Sequence, residues 1–239
     1  MNGDALYWSL ARILDWSVWG GECVNPSKLP EEYPVVFVSN HAAALGPIAV
    51  TSSLPVRVHP WVIGDMMDFA KAPEYLCKDF IEPQLHLSPP FSLKFARFLS
   101  KISVRLLRAV DCIPVWQGEA LYETYQASLD MLVQGKSLLI FPEDPKQPMN
   151  ELFMMTPFKK GFARLGEMYY ERTKKILRFH PLAVHPAKRI IKLGTQVAYN
   201  PYNDPIKERV RIRNVLESTV HDLYLTIVLE SHTAIPLPH

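Results

Sequence analysis

Pro34 to Val50 reads PVVFVSNHAAALGPIAV, and the fold turns on this stretch. Val35-Val36-Phe37-Val38 is a β-branched and aromatic run bounded by Pro34 and by Ser39-Asn40, the pattern of a short buried strand. The strand delivers His41 to the point where it stops. Ala42 to Val50 is small and apolar and suited to starting a helix, with Gly46-Pro47 interrupting it. In an open α/β sheet, ligands bind outside the carboxyl ends of the strands, which is where His41 falls. A lone histidine after a strand is more often structural than catalytic, so the role of His41 depends on the residues it meets further along the chain.

Composition narrows the function classes. A chain of 239 residues, 48% hydrophobic and 21% charged, can bury a substantial core as one large α/β domain or as one domain with a small helical appendage. A net charge of +2 argues against a dedicated nucleic-acid binder, so anion binding must come from local patches. Cys23, Cys77 and Cys112 contain no CxxC pair, so neither a disulfide framework nor a zinc site is expected, and a reduced cytoplasmic setting fits. No run of 18 apolar residues predicts a membrane-spanning helix, and Asp4, Arg12 and Asp15 break up the apolar N-terminus that a signal peptide would need.

Around the central stretch, strands alternate with helices. Ala5 to Trp19 is helical and rich in Tyr7, Trp8, Trp16 and Trp19, residues suited either to a lipid–water boundary or to packing on the core. Residues 1–30 are therefore set apart as an N-terminal amphipathic, membrane-interfacial segment, with the α/β domain over residues 31–239. Val56 to Val58 and Trp61 to Ile63 read as short strands, and Asp65 to Pro90 carries no clear pattern. Ser92 to Val110 is a helix whose Phe95, Phe98, Leu99, Ile102 and Leu106 repeat at helical spacing on one face. Lys94, Arg97, Lys101, Arg105 and Arg108 form a second, wholly basic stripe, either a solvated face or one directed at an anionic neighbour such as lipid headgroups or cofactor phosphates. Further on, Cys112 to Val115 reads as a strand and Glu119 to Gln134 as a helix. Ser137 to Phe141 is a strand, and Pro157 to Glu171 a helix opening with Phe158-Lys159-Lys160-Gly161. Strands over Pro181 to His185 and Ile190 to Val197 and a helix over Asp204 to Leu225 complete an α/β fold, a mixed and mostly parallel sheet flanked by helices.

Four segments, each at a strand end, stand in the order seen in one family. Asn40-His41 with Gly46 takes the place of an Asn-His-x4-Asp motif, and Ile113 to Gln117 that of a strand ending in Arg. Phe141-Pro142-Glu143-Asp144-Pro145-Lys146, followed by Phe158 to Gly161, takes the place of Phe-Pro-Glu-Gly-Thr-Arg, and Pro181 to Val184 that of an apolar strand. From about Val35 to Leu225 the chain resembles the glycerolipid acyltransferases of the lysophospholipid acyltransferase superfamily. The resemblance implies transfer of a fatty acyl group from acyl-coenzyme A or an acyl carrier protein to a lipid hydroxyl at a membrane surface, by a peripherally associated cytoplasmic protein. No bound cofactor and no metal are implied. It makes His41 the general base, with Asn40, Gln117, Lys146, Lys159, Lys160 and Gly161 toward the substrate.

The sequence departs from the family where its chemistry is concentrated. The carboxylate that would orient the imidazole is Gly46, and the two motif arginines are Gln117 and Lys146, which weakens a bidentate phosphate clamp. Losing the orienting carboxylate of the serine-protease triad costs about 10⁴ in turnover. Glu143 or Asp144 could reach His41 across neighbouring strand ends and replace it. Three readings stay open: an active acyltransferase, a catalytically silent relative that binds lipid or acyl chains, and, last, a hydrolase, for which no G-x-S-x-G elbow is present. The remaining histidines (His59, His86, His180, His185, His221, His232 and His239) show no metal-ligand spacing. His221 is expected at the surface, and His185 is the one placed near the same cleft.

Overall fold

A computed structural model describes residues 3–42, 45–82 and 90–230. His86, His232 and His239, like Ala43 and Ala44 of the first motif, lie outside the described residues. The chain divides into two compact units. The larger contains Trp8–Val58 and the chain from Leu129 onward; the smaller contains His59–Ser128 and the opening of the first helix.

The larger unit is built on a mixed sheet of β1 (Glu22–Val24), β2 (Val35–Ser39), β5 (Ser137–Ile140), β6 (Arg178–His185), β7 (Ile190–Leu193) and β8 (Val197–Ala198). Its order is β1-β7-β6-β2-β5, with β8 also on β6. β2 runs parallel to both β5 and β6, and β1 parallel to β7, while β7 and β8 are antiparallel to β6. Every residue of β2 and β5 is buried, as expected of central parallel strands covered on both faces. Phe37, Leu139, Leu182 and Val184 form one core with Trp19 and with Ala49 and Val50 of α2 (Leu45–Ser53). Gly46-Pro47 does not interrupt this helix but forms its first turn, where the amide hydrogen that proline lacks would have no helical partner anyway. The long α7 (Pro205–Glu230) packs along β6 and β7.

α1 (Gly3–Leu14) continues as one wider turn over Asp15–Trp19, closed by Gly20, whose left-handed backbone lets its N–H reach the Asp15 carbonyl at 2.7 Å. Tyr7 and Trp19 are buried, whereas Trp16 is 89% exposed, so the aromatic residues of this segment are divided between core and solvent. β1 lies in a stretch whose sequence pattern indicates no element, because three residues are too few to show an alternation. Pro157 to Lys160 is not helical as expected. Phe158 instead bridges Glu143 in antiparallel fashion, and the helix begins only with a tight turn at Gly161–Ala163 leading into α6 (Arg164–Thr173).

In the smaller unit β3 (Val58–Ile63) pairs in parallel with β4 (Ile113–Val115). The unpatterned region after β3 contains the short α3 (Ala72–Leu76). α4 spans Phe91–Ala109 and α5, which runs on past this unit, spans Leu121–Val133. α4 does not pack on its aromatic stripe: Ser92, Ala96, Ser100 and Val104 are its buried residues, and Phe95, Phe98 and Ile102 face outward. Ala96 and Leu99 pack with Leu76, Cys77 and Ile81. All three cysteines are free.

Candidate active site

β2 and β5 stand in register, Val36 beside Leu138 and Val38 beside Ile140, so their carboxyl ends emerge together. Asn40 and His41 leave one strand; Phe141, Pro142 and Glu143 leave the other. Asn40 is buried, and its amide reproduces a step of backbone ladder: Nδ2 donates to the Val184 carbonyl at 2.9 Å and Oδ1 accepts the Val184 N–H at 2.8 Å. It thus pins the end of β2 to β6 and sets where His41 emerges. His41 is exposed, with its ring in an edge-on contact with Phe141, centroids 5.2 Å apart. Ala42 then turns the chain with a left-handed φ of 45°, a conformation that costs a residue with a Cβ about 1–2 kcal/mol.

Glu143 meets His41 at the main chain. Its Oε1 accepts the His41 backbone N–H at 2.5 Å, and its Oε2 accepts the Thr156 N–H at 2.9 Å and the Thr156 hydroxyl at 3.4 Å. One carboxylate therefore ties together the ends of β2 and β5 and the loop that carries Thr156. Asp144 is engaged elsewhere: Oδ1 accepts the Lys146 N–H at 3.1 Å and pairs with Lys159 Nζ at 3.2 Å. The Lys146 N–H, then Lys159, hold the Asp144 carboxyl below its usual range. Lys159 is further fixed by its N–H to the Pro142 carbonyl at 2.8 Å. Lys160 and Gly161 sit at the turn that opens α6, both exposed. Gln117 lies in the smaller unit, immediately before the turn Gly118–Ala120. The larger unit thus brings Asn40, His41 and Glu143 together, and Asp144, Lys146 and Lys159 with one another.

Gly46 is more than a missing carboxylate. A Cβ there would lie 2.1 Å from the His41 carbonyl oxygen and 2.7 Å from its carbonyl carbon. The helix approaches the His41 backbone too closely for any side chain, and an aspartate cannot occupy this position with the backbone as it stands.

Sequence reasoning missed the surroundings of His221. An open cleft of about 410 Å³ is lined by Met149, Met155, Thr156, Glu217 and His221 among others. His221 stacks flat on Phe153, centroids 4.1 Å apart, instead of lying free on the surface. Burial lowers its pKa against the opposing pull of Glu217, Asp222 and Glu143. Glu217 accepts the Phe158 N–H at 3.2 Å and pairs with Arg213, so α7 holds the loop after Thr156. The signal in the sequence was the i,i+4 pair Glu217 and His221 on one face of that helix. His185 stacks on Tyr224, and its Nδ1 accepts the Lys188 N–H at 3.2 Å. Among the described residues no cluster of His, Cys, Asp or Glu could hold a metal ion.

No protein-family model matches the chain, and no curated protein matches it by sequence. Its structure is similar to the crystal structure of the 1-acyl-sn-glycerophosphate (LPA) acyltransferase PlsC from Thermotoga maritima, with a TM-score of 0.52 at 11% identity. The match covers 92% of this chain and 79% of that one. The fold is therefore that of this acyltransferase: α/β, with a mixed, mostly parallel sheet flanked by helices.

Proposed function

We propose that the protein is an acyltransferase that moves a fatty acyl group from acyl-coenzyme A or an acyl carrier protein to a hydroxyl of a lysophospholipid or related lipid, with His41 as general base. The observation that carries this reading is an exposed imidazole whose backbone is held by Asn40 and Glu143 beyond the carboxyl ends of parallel strands, on the fold of a lysophosphatidate acyltransferase. A hydroxyl is a poor nucleophile until a base within hydrogen-bond reach takes its proton. As the lipid oxygen attacks the thioester carbonyl, the imidazole takes that proton. The C–O bond forms, the C–S bond breaks, and the departing thiolate recovers the proton from the imidazolium. Lys146 and Lys160 are exposed and neither forms a salt bridge among the described residues, which suits them to an anionic group on the acceptor. Lys159 already balances Asp144. A lipid acceptor also implies peripheral association with the cytoplasmic face of a membrane; among the described residues no helix is long and apolar enough to cross one.

The test is thiol release from a panel of acyl-coenzyme A and acyl carrier protein donors, with and without lysolipid acceptors. His41→Ala should lower acceptor-dependent release by roughly 10²–10⁴-fold, the usual contribution of a general base. Release unchanged in His41→Ala would overturn the assignment. A second reading, a catalytically silent protein that binds lipid or acyl chains, is favoured by the contact at Gly46, which excludes the orienting aspartate. No release from the wild type with any donor, together with retained binding of a fluorescent fatty acid, would establish it.

A further inference from the structure

α4 is divided lengthwise into three stripes. Its small residues Ser92, Ala96, Ser100 and Val104 are buried. The outward half is shared by two rows about 100° apart on the helical wheel. One row is Phe91, Phe95, Phe98 and Ile102, with Phe91 and Phe98 exposed by 70% and 63%. The other is Lys94, Arg97, Lys101, Arg105 and Arg108, with no carboxylate anywhere in the helix. Arg108 is engaged, donating to the Met67 carbonyl at 2.8 Å and lying over the Phe69 ring. The other four have no ion-pair partner among the described residues.

We infer that this face of α4 docks on a membrane surface rich in anionic lipid headgroups. Aromatic and aliphatic side chains in one row can enter the boundary between headgroups and acyl chains, while the adjacent cations extend along it to the phosphates. Four exposed cations beside an exposed apolar row match that surface in charge and in layering. A second copy of this chain would set like charges against each other across the contact, and a purely polar anion would leave the aromatic row in water. The inference rests on α4 alone; the lipid substrate proposed above gives it a purpose but does not carry it.

Co-sedimentation of the full chain with vesicles of phosphatidylcholine, alone or with one third phosphatidylglycerol, tests it without any turnover. The wild type should bind the anionic vesicles and be released by high salt. Each cation near an anionic surface contributes enough that Lys94→Gln, Arg97→Gln, Lys101→Gln and Arg105→Gln together should weaken binding by roughly a hundredfold or more. Phe91→Ser with Phe98→Ser should weaken it at every salt concentration. All these side chains are exposed, and circular dichroism checks that the variants fold. Equal binding to both vesicle types, or unchanged binding by both variants, would overturn the inference. So would a dimer in solution that Phe91→Ser with Phe98→Ser dissolves, because the face would then belong to a second copy. Vesicle binding by a protein that releases no thiol would leave the docking face standing and remove only the acyl-transfer reading.

Discussion

At position 46 even a methyl group would sit 2.1 Å from the His41 carbonyl oxygen, far inside van der Waals contact. Gly46→Ala should therefore destabilise the protein by about 1–3 kcal/mol, as overpacking does, and Gly46→Asp by at least as much without gaining activity. Urea denaturation followed by circular dichroism measures both, and a Gly46→Asp protein of wild-type stability would refute the close approach. Glu143 presents a related case. Glutamine in its place keeps one acceptor oxygen and turns an amide donor toward the His41 or Thr156 N–H, leaving a donor unpaired. Glu143→Gln should cost about 1–3 kcal/mol in the same assay and lower turnover by misplacing His41. Stability equal to the wild type would mean that the carboxylate does not hold the strand ends together. The sequence made Glu143 a candidate partner for the imidazole; that it meets the His41 main chain depends on the offset of two strands far apart in the chain.

α7 opens with Asp204 as its cap, Oδ1 accepting the Lys207 N–H at 2.9 Å, and with Glu208 fully buried one turn on. Burial pushes the Glu208 carboxyl up, but Arg211, Asn203 and the Asn200 N–H outweigh it and bring its pKa down to about 2. β2, β5 and the end of β6 could be read directly from their apolar runs, because a strand buried on both faces carries its environment in its composition. α4 was legible as a helix but not in its orientation. Periodicity shows where apolar residues gather, and the close approach that Ser92, Ala96 and Ser100 allow gives no hydrophobic signal. The stretch from Pro157 to Lys160 resembles a helix start because of its proline, but its backbone is committed to Glu143 and Pro142.

For the molecule as a whole, two buried groups, His180 and Glu208, contribute to the response to acid beside His185 and His221, whose pKa values burial lowers. His180 is enclosed beside Phe37 with neither ring nitrogen hydrogen-bonded among the described residues, and burial, with Lys28 adding to it, takes its pKa down to about 4 from 6.5. Folded pKa values below the unfolded ones mean that the unfolded chain binds more protons. The contribution of these two groups to stability is then fully present above pH 6.5, falls from there toward pH 4 through His180, and falls again from pH 4.5 toward pH 2 through Glu208. Each group alone can supply a slope of up to about 1.4 kcal/mol per pH unit. His180→Phe should flatten the first limb and Glu208→Gln the second, as read by denaturant midpoints across pH. An unchanged first limb in His180→Phe would show that another group sets it. The carboxylate of Glu143 has a consequence on the same scale. Its two oxygens are shared between His41 and Thr156, and Thr156 also forms part of the cleft wall. Any occupant of the cleft that draws Thr156 away loosens the seat of His41. Reciprocity then requires that occupancy at His41 alter affinity in the cleft by the same factor.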